Sequence, residues 1–299
     1  MSTNTVQFDT RREARKSATA RHQQQGELLD DRYLHKQTIE SKLIGIASGN
    51  QVLNFVRCGN EEIFSTCRGC GKVERFFYAC NRKWCPLCVQ KLSRLRAQKL
   101  KLWSNTIRQP KHLVLTMRNF EVLTGKRIRE FQQALLKLRR LKLFKEVKGG
   151  CASLEITKGN EGWHLHAHLL LDVRWLDMEN LARQWGGLVN QQFGIVKIKD
   201  LRESSYLQEV TKYVAKGSEI ASWPGEQIWE FVCAIKGRRF FFAFGSLFKM
   251  SGEIKREIAR QAAGNKPCTC GACDFIYESE AQDAENQIKR SRGIHRRNR

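Results

Sequence analysis

Two neighbouring stretches in the middle of the chain alternate apolar and polar residues, which is the pattern of a half-buried β-strand. They cover residues 151–157 and 163–172. Because successive side chains of a strand point to opposite faces, one face of each stretch should enter a core. The residues of this apolar face are Ala152, Leu154, Ile156, Leu165, Ala167 and Leu169. The link over residues 158–163 contains two glycines and an asparagine, so the pattern predicts an antiparallel hairpin.

Other periodic stretches predict the elements around this hairpin. The predicted helices cover residues 89–105, 126–148, 178–193, 204–217 and 228–235, and the predicted further strands cover 112–119, 195–198 and 238–244. Helix 204–217 has a capping box of Ser205 and Gln208 at its start and Gly217 at its end. Residues 1–45 show no clear apolar period, so we predict a flexible or partly helical polar arm there.

The polar face of the second alternating stretch carries His164, His166 and His168, three of the seven histidines. Adjacent same-face positions of a strand lie roughly 6.5–7 Å apart, so two imidazoles can reach one metal ion between them. If the hairpin pairs residue 157 with residue 164, Glu155 lies opposite His166, whereas a one-residue slip would turn it to the other face. A single histidine on a strand is usually an ordinary polar residue, but three beside a carboxylate favour a metal site. Such mixed nitrogen and oxygen ligands suit magnesium, manganese or another divalent ion better than a structural zinc.

The overall charge points to a polyanionic partner. The chain of 299 residues has 53 Lys and Arg against 30 Asp and Glu, a net charge of +23, and nucleic acid is the partner that this excess favours. No run of about 18 apolar residues is present and the N-terminus is polar, so we expect a cytoplasmic protein without a membrane partner. In such a chain the eleven cysteines indicate metal binding rather than disulfides.

Two Cys-x-x-Cys pairs suggest a zinc module ahead of the hairpin. Cys67 and Cys70 form the first pair, Cys85 and Cys88 form the second, and 14 residues separate the pairs. This spacing fits a four-thiolate zinc site, although Cys80 could replace one ligand. A redox pair is the alternative for either motif alone.

A second cysteine cluster lies near the C-terminus, at Cys268, Cys270 and Cys273. Three thiols are one short of a zinc site, so Cys58, Cys80 or a partner chain would have to complete it.

Basic residues concentrate in helices 89–105 and 126–148 and in the tail 289–299. The candidates for DNA contact are Arg94, Lys99, Arg127, Arg139, Arg140, Arg296 and Arg297. The alternative for the helices is an ordinary solvated face, and the net charge favours phosphate contacts.

Helix 204–217 gathers a second set of reactive residues. Tyr206, Glu209, Tyr213 and Lys216 share one face, at spacings of three, four and three. A tyrosine on a helix is normally a packed aromatic residue. Here a carboxylate that can take a proton and a lysine that can support a phenolate lie one turn away on either side of Tyr213, which favours nucleophilic chemistry.

The histidine strand resembles the His-hydrophobic-His signature of the HUH endonucleases, which nick single-stranded DNA. The motif could be His164-Leu165-His166 or His166-Ala167-His168, and we take His166 and His168 as the ligands because replication initiators tend to carry an extra histidine before the pair. Strand 112–119 is similar to the first conserved strand of these enzymes, which lies beside the metal strand. Its His112 could be a ligand, but we expect an ordinary surface or core histidine.

Two further motifs resemble those of rolling-circle plasmid initiators. Residues 212–216 resemble the Tyr-x-x-Lys nucleophile motif. Residues 80–88 resemble Cys-x-x-Arg-x-Cys-Pro-x-Cys, except that the arginine, Arg82, falls one place early with Lys83 beside it. Together the motifs occur in the family's order over residues 67–217.

The resemblance implies a rolling-circle plasmid replication initiator with an α+β fold, in which an antiparallel sheet carries the metal strand centrally, helices pack on it and a zinc module precedes it. It also implies that Tyr213 attacks origin DNA, single-stranded or extruded as a hairpin, and forms a 5′-phosphotyrosine bond. Magnesium or manganese on Glu155, His166 and His168 would assist, and Lys216 would support the nucleophile. Glu209 would activate water for the terminating cleavage.

The free 3′-hydroxyl would prime a host polymerase, working with a host helicase. The alternatives are an HUH transposase, in which Tyr206 would be a second nucleophile, and a non-catalytic zinc protein that binds nucleic acid. We predict four segments, namely an arm over 1–45, a zinc module with its basic helix over 46–105, a nicking domain over 106–250, and a cysteine cluster with a basic tail over 251–299.

Overall fold

A computed structural model describes residues 31–47, 49–192, 194–200, 217–263, 270 and 275–279. The chain divides into two compact units. The first comprises residues 1–34, 48–80 and 261–299, and the second comprises residues 35–47 and 81–260. The first unit thus contains residues from both ends of the chain, whereas the four predicted segments are each continuous in sequence. The division into four segments stays a prediction.

The second unit is built on a five-stranded antiparallel sheet with the order β6-β3-β5-β4-β7. Its strands are β3 (Pro110–Thr116), β4 (Gly149–Gly159), β5 (Gly162–Asp172), β6 (Ile195–Asp200) and β7 (Phe241–Phe244). The histidine strand β5 is therefore the central one. The predicted α+β class, with an antiparallel sheet and packed helices, is confirmed.

The hairpin of β4 and β5 has the predicted register. Glu155 pairs with His166, and Thr157 pairs with His164. The strands run further than expected, because Gly159 still pairs with Gly162 and only two residues remain for the turn. Gly162 has φ 100°, and a Cβ there would lie 2.5 Å from the carbonyl oxygen of Phe120, so this position requires glycine.

The apolar face of the hairpin enters the core as predicted. All six of its predicted residues are at most 1% exposed; they are Ala152, Leu154, Ile156, Leu165, Ala167 and Leu169. Trp163 lies on this face as well, where its ring stacks on Phe231 and meets Trp223 edge to face. The opposite face is polar around the histidines and becomes apolar further along, where Cys151 and Leu170 pack against Trp103.

The described residues also form nine α-helices. In chain order they are α1 (Asp31–Leu43), α2 (Asn50–Arg57), α3 (Pro86–Ser104), α4 (Gly125–Leu138), α5 (Met178–Leu188), α6 (Gly217–Ser222), α7 (Gly225–Ile235), α8 (Gly245–Lys249) and α9 (Ser251–Ala263). Helix α2 lies in the first unit and α3 to α8 lie in the second. None of the helices described here is long and apolar enough to cross a membrane.

Helix 126–148 is shorter than predicted, and part of the predicted arm is helical. Helix 126–148 ends at Leu138, its last buried apolar residue, and a short 3-10 helix (Lys142–Phe144) follows. Within the predicted arm, residues 31–43 are helical, because Ile39 and Leu43 recur at helical spacing and are both buried. Gly217 is the first residue of the described helix Gly217–Ser222, and the rest of the predicted helix 204–217 lies outside the described residues.

The first unit contains a three-stranded sheet with the order β2-β1-β8. Its strands are β1 (Glu62–Cys67), β2 (Val73–Phe77) and β8 (Phe275–Ser279), and β1 pairs antiparallel with both neighbours. The central strand therefore joins a hairpin partner to a segment from near the chain's C-terminus.

Candidate active site

Three side chains meet on the polar face of the central hairpin. The Oε2 atom of Glu155 lies 2.7 Å from Nε2 of His166 and 3.1 Å from Nε2 of His168. Their ligand atoms all lie within 4.8 Å of one another. The strand pairing places Glu155 and His166 opposite each other, and His168 follows on the same face because strand side chains alternate.

The side chain of Glu155 is ionised, so it can bind a cation or a metal ion. Burial raises its pKa, since Glu155 is only 6% exposed, but hydrogen bonds and charge from His166 and His168 outweigh burial. The pKa of Glu155 therefore lies well below its ordinary value, and the group is a carboxylate at neutral pH.

His112 makes a contact that the sequence did not predict. Its Nε2 atom lies 3.1 Å from Nδ1 of His168, and the two buried rings stack with centroids 5.3 Å apart. If Nε2 of His168 offers its lone pair to a metal, the ring proton must sit on Nδ1, and His112 is then the acceptor of that proton. A His112 ring that accepts this proton would therefore favour the His168 tautomer that can bind a metal.

His164 shares the polar face but takes a different partner. Its Nδ1 atom lies 2.6 Å from Oδ1 of Asn119, and it does not belong to the group of three ligand atoms. Burial lowers the pKa of His164, and the neighbouring His166 lowers it further. The structure thus brings together Glu155, His166 and His168 and leaves the optional ligand His164 outside this group.

These donors fit a divalent ion by their chemistry. Two imidazole nitrogens and one carboxylate oxygen converge, and the carboxylate supplies a negative charge. Such mixed donors suit magnesium or manganese, with coordination positions left for substrate and water. The converging Glu155, His166 and His168 side chains are therefore a candidate centre for metal-assisted chemistry.

The cysteines form two groups that differ from the predicted sets. Cys67 and Cys70 lie with Cys270 in the first unit, whereas Cys85 and Cys88 belong to the second unit. A possible cysteine-rich metal site lies within residues 58–88, ahead of the five-stranded sheet. Of the predicted C-terminal cluster, Cys268 and Cys273 lie outside the described residues.

The residues proposed for nucleophilic chemistry cannot be placed. Tyr206, Glu209, Tyr213 and Lys216 all lie outside the described residues, as do Arg296 and Arg297 of the tail. Their roles stay predictions from the sequence.

The described basic candidates differ in how available they are. Arg94, Arg127 and Arg140 are exposed, and Lys99 is half-buried. Arg139 instead lays its guanidinium over the ring of Phe244, 4.1 Å from the centroid. Burial lowers the pKa of Arg139, and the nearby Arg140 lowers it further. Arg139 is thus a packing residue as well as a cation.

Two exposed lysines on strand β6 were missed by the sequence reasoning. Lys197 pairs with Val114, which in turn pairs with His168, so all three share one face of the sheet. Lys199 is the next residue on that face and pairs with His112. At about 4.8 Å per strand, the backbone of Lys197 lies on the order of 10 Å from that of His168. The alternation of Val196 and Ile198 with these lysines was the available signal.

Together these observations define a basic α+β protein whose antiparallel sheet presents a candidate metal centre on its middle strand. A family model described as "Replication protein" matches residues 74–286, more than half of the chain. The chain therefore belongs to the replication protein family, which confirms its resemblance to rolling-circle plasmid Rep proteins. Membership of this family makes the protein a plasmid replication initiator, and it implies binding to DNA. No curated protein and no solved structure matches the chain.

Proposed function

We propose that the protein starts rolling-circle replication by nicking one strand of its plasmid origin and later rejoining it, in a metal-dependent reaction. The convergence of Glu155, His166 and His168 on the two central strands carries this proposal. A bound divalent ion, magnesium or manganese, would polarise the scissile phosphate and stabilise its developing negative charge.

The side chains around the centre would hold the reacting groups in place. Glu155 keeps its negative charge at neutral pH because its pKa is low, and it lies between the two imidazoles. His112 holds the His168 ring in one orientation through the contact at Nδ1. Since both rings are largely removed from water, this contact cannot easily be replaced by solvent.

The covalent step assigned to Tyr213 rests on its resemblance to the Tyr-x-x-Lys motif. Its phenolic oxygen attacks the phosphorus, an O–P bond forms, and the bond from phosphorus to the 3′ oxygen breaks. The products are a 5′-phosphotyrosine and a free 3′-hydroxyl, which takes up a proton as the phenol loses one. Lys216 would favour the phenolate. The reverse reaction rejoins the strand without ATP, because the phosphodiester energy is kept in the covalent link.

Termination would use a second cleavage at the same centre. Glu209 lies one helical turn before Tyr213 in the sequence, so it could take the proton of an attacking water molecule. Host helicase and polymerase would extend the strand between the two cleavages.

The basic residues would bind the phosphate backbone. Lys197 and Lys199 lie on the same sheet face as the histidines, and Arg127 and Arg140 are exposed elsewhere on the second unit. Phosphate contacts of this kind supply affinity that does not depend on base sequence. We also propose zinc for the cysteine-rich residues 58–88, because zinc is the usual structural ion for cysteine thiolates.

The test is the covalent adduct formed on a single-stranded oligonucleotide carrying the plasmid's own origin. Wild-type protein with manganese or magnesium should give a denaturation-resistant protein–DNA band, which EDTA and His168→Ala should both remove. Tyr213→Phe should lose the adduct, whereas the matched variant Tyr206→Phe should keep it. Full nicking in EDTA would exclude the metal, and an adduct that persists in Tyr213→Phe would exclude this nucleophile.

A further inference from the structure

The turn between β1 and β2 has the form of a metal-binding knuckle. The backbone N–H of Cys67 donates to the carbonyl oxygen of Lys72 at 2.9 Å, and the N–H of Gly71 donates to the carbonyl oxygen of Cys67 at 2.8 Å. Gly71 has φ 69°, a conformation that favours glycine. This tight turn holds the sulfur atoms of Cys67 and Cys70 on the same side of the chain.

A third thiol reaches the knuckle from the other end of the chain. Strand β8 pairs with β1 so that Phe275 lies opposite Cys67, and Cys270, five residues before Phe275, lies close to Cys67. The sulfur atoms of Cys67 and Cys270 are 3.5 Å apart although 203 residues separate them in sequence, and all three sulfur atoms lie within 4.8 Å of one another.

We infer that Cys67, Cys70 and Cys270 bind one zinc ion, which ties the C-terminal segment to the β1–β2 hairpin within the first unit. In a tetrahedral zinc site with Zn–S bonds of about 2.3 Å, neighbouring sulfur atoms lie about 3.8 Å apart, close to the separation seen here. A disulfide needs about 2.05 Å between two sulfur atoms and would leave the third thiol unused.

The small sheet of the first unit is a place where a metal would add stability. Among the described residues, Phe64 and Val73 form a buried apolar cluster on it. Small units built on short strands often gain stability from a bound metal. Structural zinc supplies such stability because its binding is coupled to folding.

The first experiment measures zinc per chain in purified full-length protein. Cys70→Ser and Cys270→Ser should each lose one zinc equivalent relative to wild type, and the double variant should lose no more than either single one. The matched control is Cys233→Ser, which removes an exposed thiol of helix α7 and should keep the wild-type zinc content. Full zinc content in Cys270→Ser, or loss of two equivalents in the double variant, would overturn the inference.

A second measurement uses the wild-type chain, so it does not depend on whether a variant folds. Cys70 and Cys270 are exposed, and free thiols there should react quickly with an alkylating reagent. Zinc-bound thiolates should be protected together and become reactive together when a chelator removes the ion, which mass spectrometry of the labelled peptides would show. Rapid labelling while zinc is retained would overturn the inference, as would labelling that requires a reductant rather than a chelator.

Discussion

Replacing His112 with phenylalanine should weaken metal binding without removing any metal ligand. The substitution keeps a ring that can stack on His168 but removes the acceptor 3.1 Å from its Nδ1 atom. His168 is 5% exposed, so water cannot easily supply a new partner. The imidazole is then free to adopt the tautomer, or the orientation, that does not face the metal.

The size of the effect can be stated from what a contact of this kind usually contributes. Loss of a hydrogen-bond partner behind a metal-binding histidine typically lowers metal affinity about 10- to 100-fold, which is about 1.4 to 2.7 kcal/mol. In the metal-free protein the unpartnered Nδ1 atom should cost about 1 to 3 kcal/mol of folding free energy. Calorimetric titration with manganese measures the first quantity, and urea unfolding in EDTA measures the second.

Two control variants make this prediction specific. His112→Gln keeps a side-chain oxygen that can accept the proton and should restore part of the affinity. Asn119→Ala removes the equivalent partner of His164, which lies outside the group of ligands, and should leave manganese affinity within about two-fold of wild type. If His112→Phe binds manganese as tightly as wild type, or if Asn119→Ala weakens binding equally, the proposed selection of the tautomer by His112 is wrong.

Three further predictions concern the hairpin turn, a buried thiol and the lysines of β6. Gly162→Ala should lower the free energy of unfolding by about 1 to 3 kcal/mol, because residue 162 has a positive φ and its new Cβ would meet the carbonyl oxygen of Phe120. An unchanged midpoint of urea unfolding would contradict this. Burial raises the pKa of Cys151 to about 12, so its thiol stays protonated at pH 8 and should be alkylated only after the protein unfolds. Alkylation of Cys151 in the folded protein, as fast as that of exposed cysteines, would contradict this. Replacing Lys197 and Lys199 with alanine should make the salt dependence of single-stranded DNA binding shallower by up to about 1.4, and an identical slope would mean that neither lysine contacts phosphate.

The hairpin could be predicted well from the sequence because it depends on local features, namely alternation within each strand and the residues of the turn. Alternation decides which face of a strand is buried, and the glycines near the turn bring the strands into register. The pairing of Glu155 with His166 followed from these two facts on the condition that residue 157 pairs with residue 164, as it does in the structure. The apolar face was equally predictable, since its residues are apolar at every second position.

Other features depend on contacts between distant parts of the chain, which periodicity does not report. His112 meets His168 only because β3 lies beside β5, and this neighbour was implied by the resemblance of strand 112–119 to the family, not by its periodicity. The pairing of Cys67 with Cys270 spans 203 residues, so the ribbon-like spacing of Cys67, Cys70, Cys85 and Cys88 suggested a different set. The end of helix α4 at Leu138 was missed because basic residues continue after its apolar face stops.

The position of the candidate metal centre in the sheet has a consequence for its dynamics. Glu155 and His166 belong to a ladder of residue pairs from Gly149 opposite Asp172 to Gly159 opposite Gly162, and strand β5 is paired along its other edge with β3. Fraying at a sheet edge cannot separate the carboxylate from the imidazoles, because both edges of the histidine strand are occupied. The amide protons of Leu165 and Ala167 should therefore exchange with solvent only through global unfolding, and the spacing of the ligands should last as long as the folded state itself.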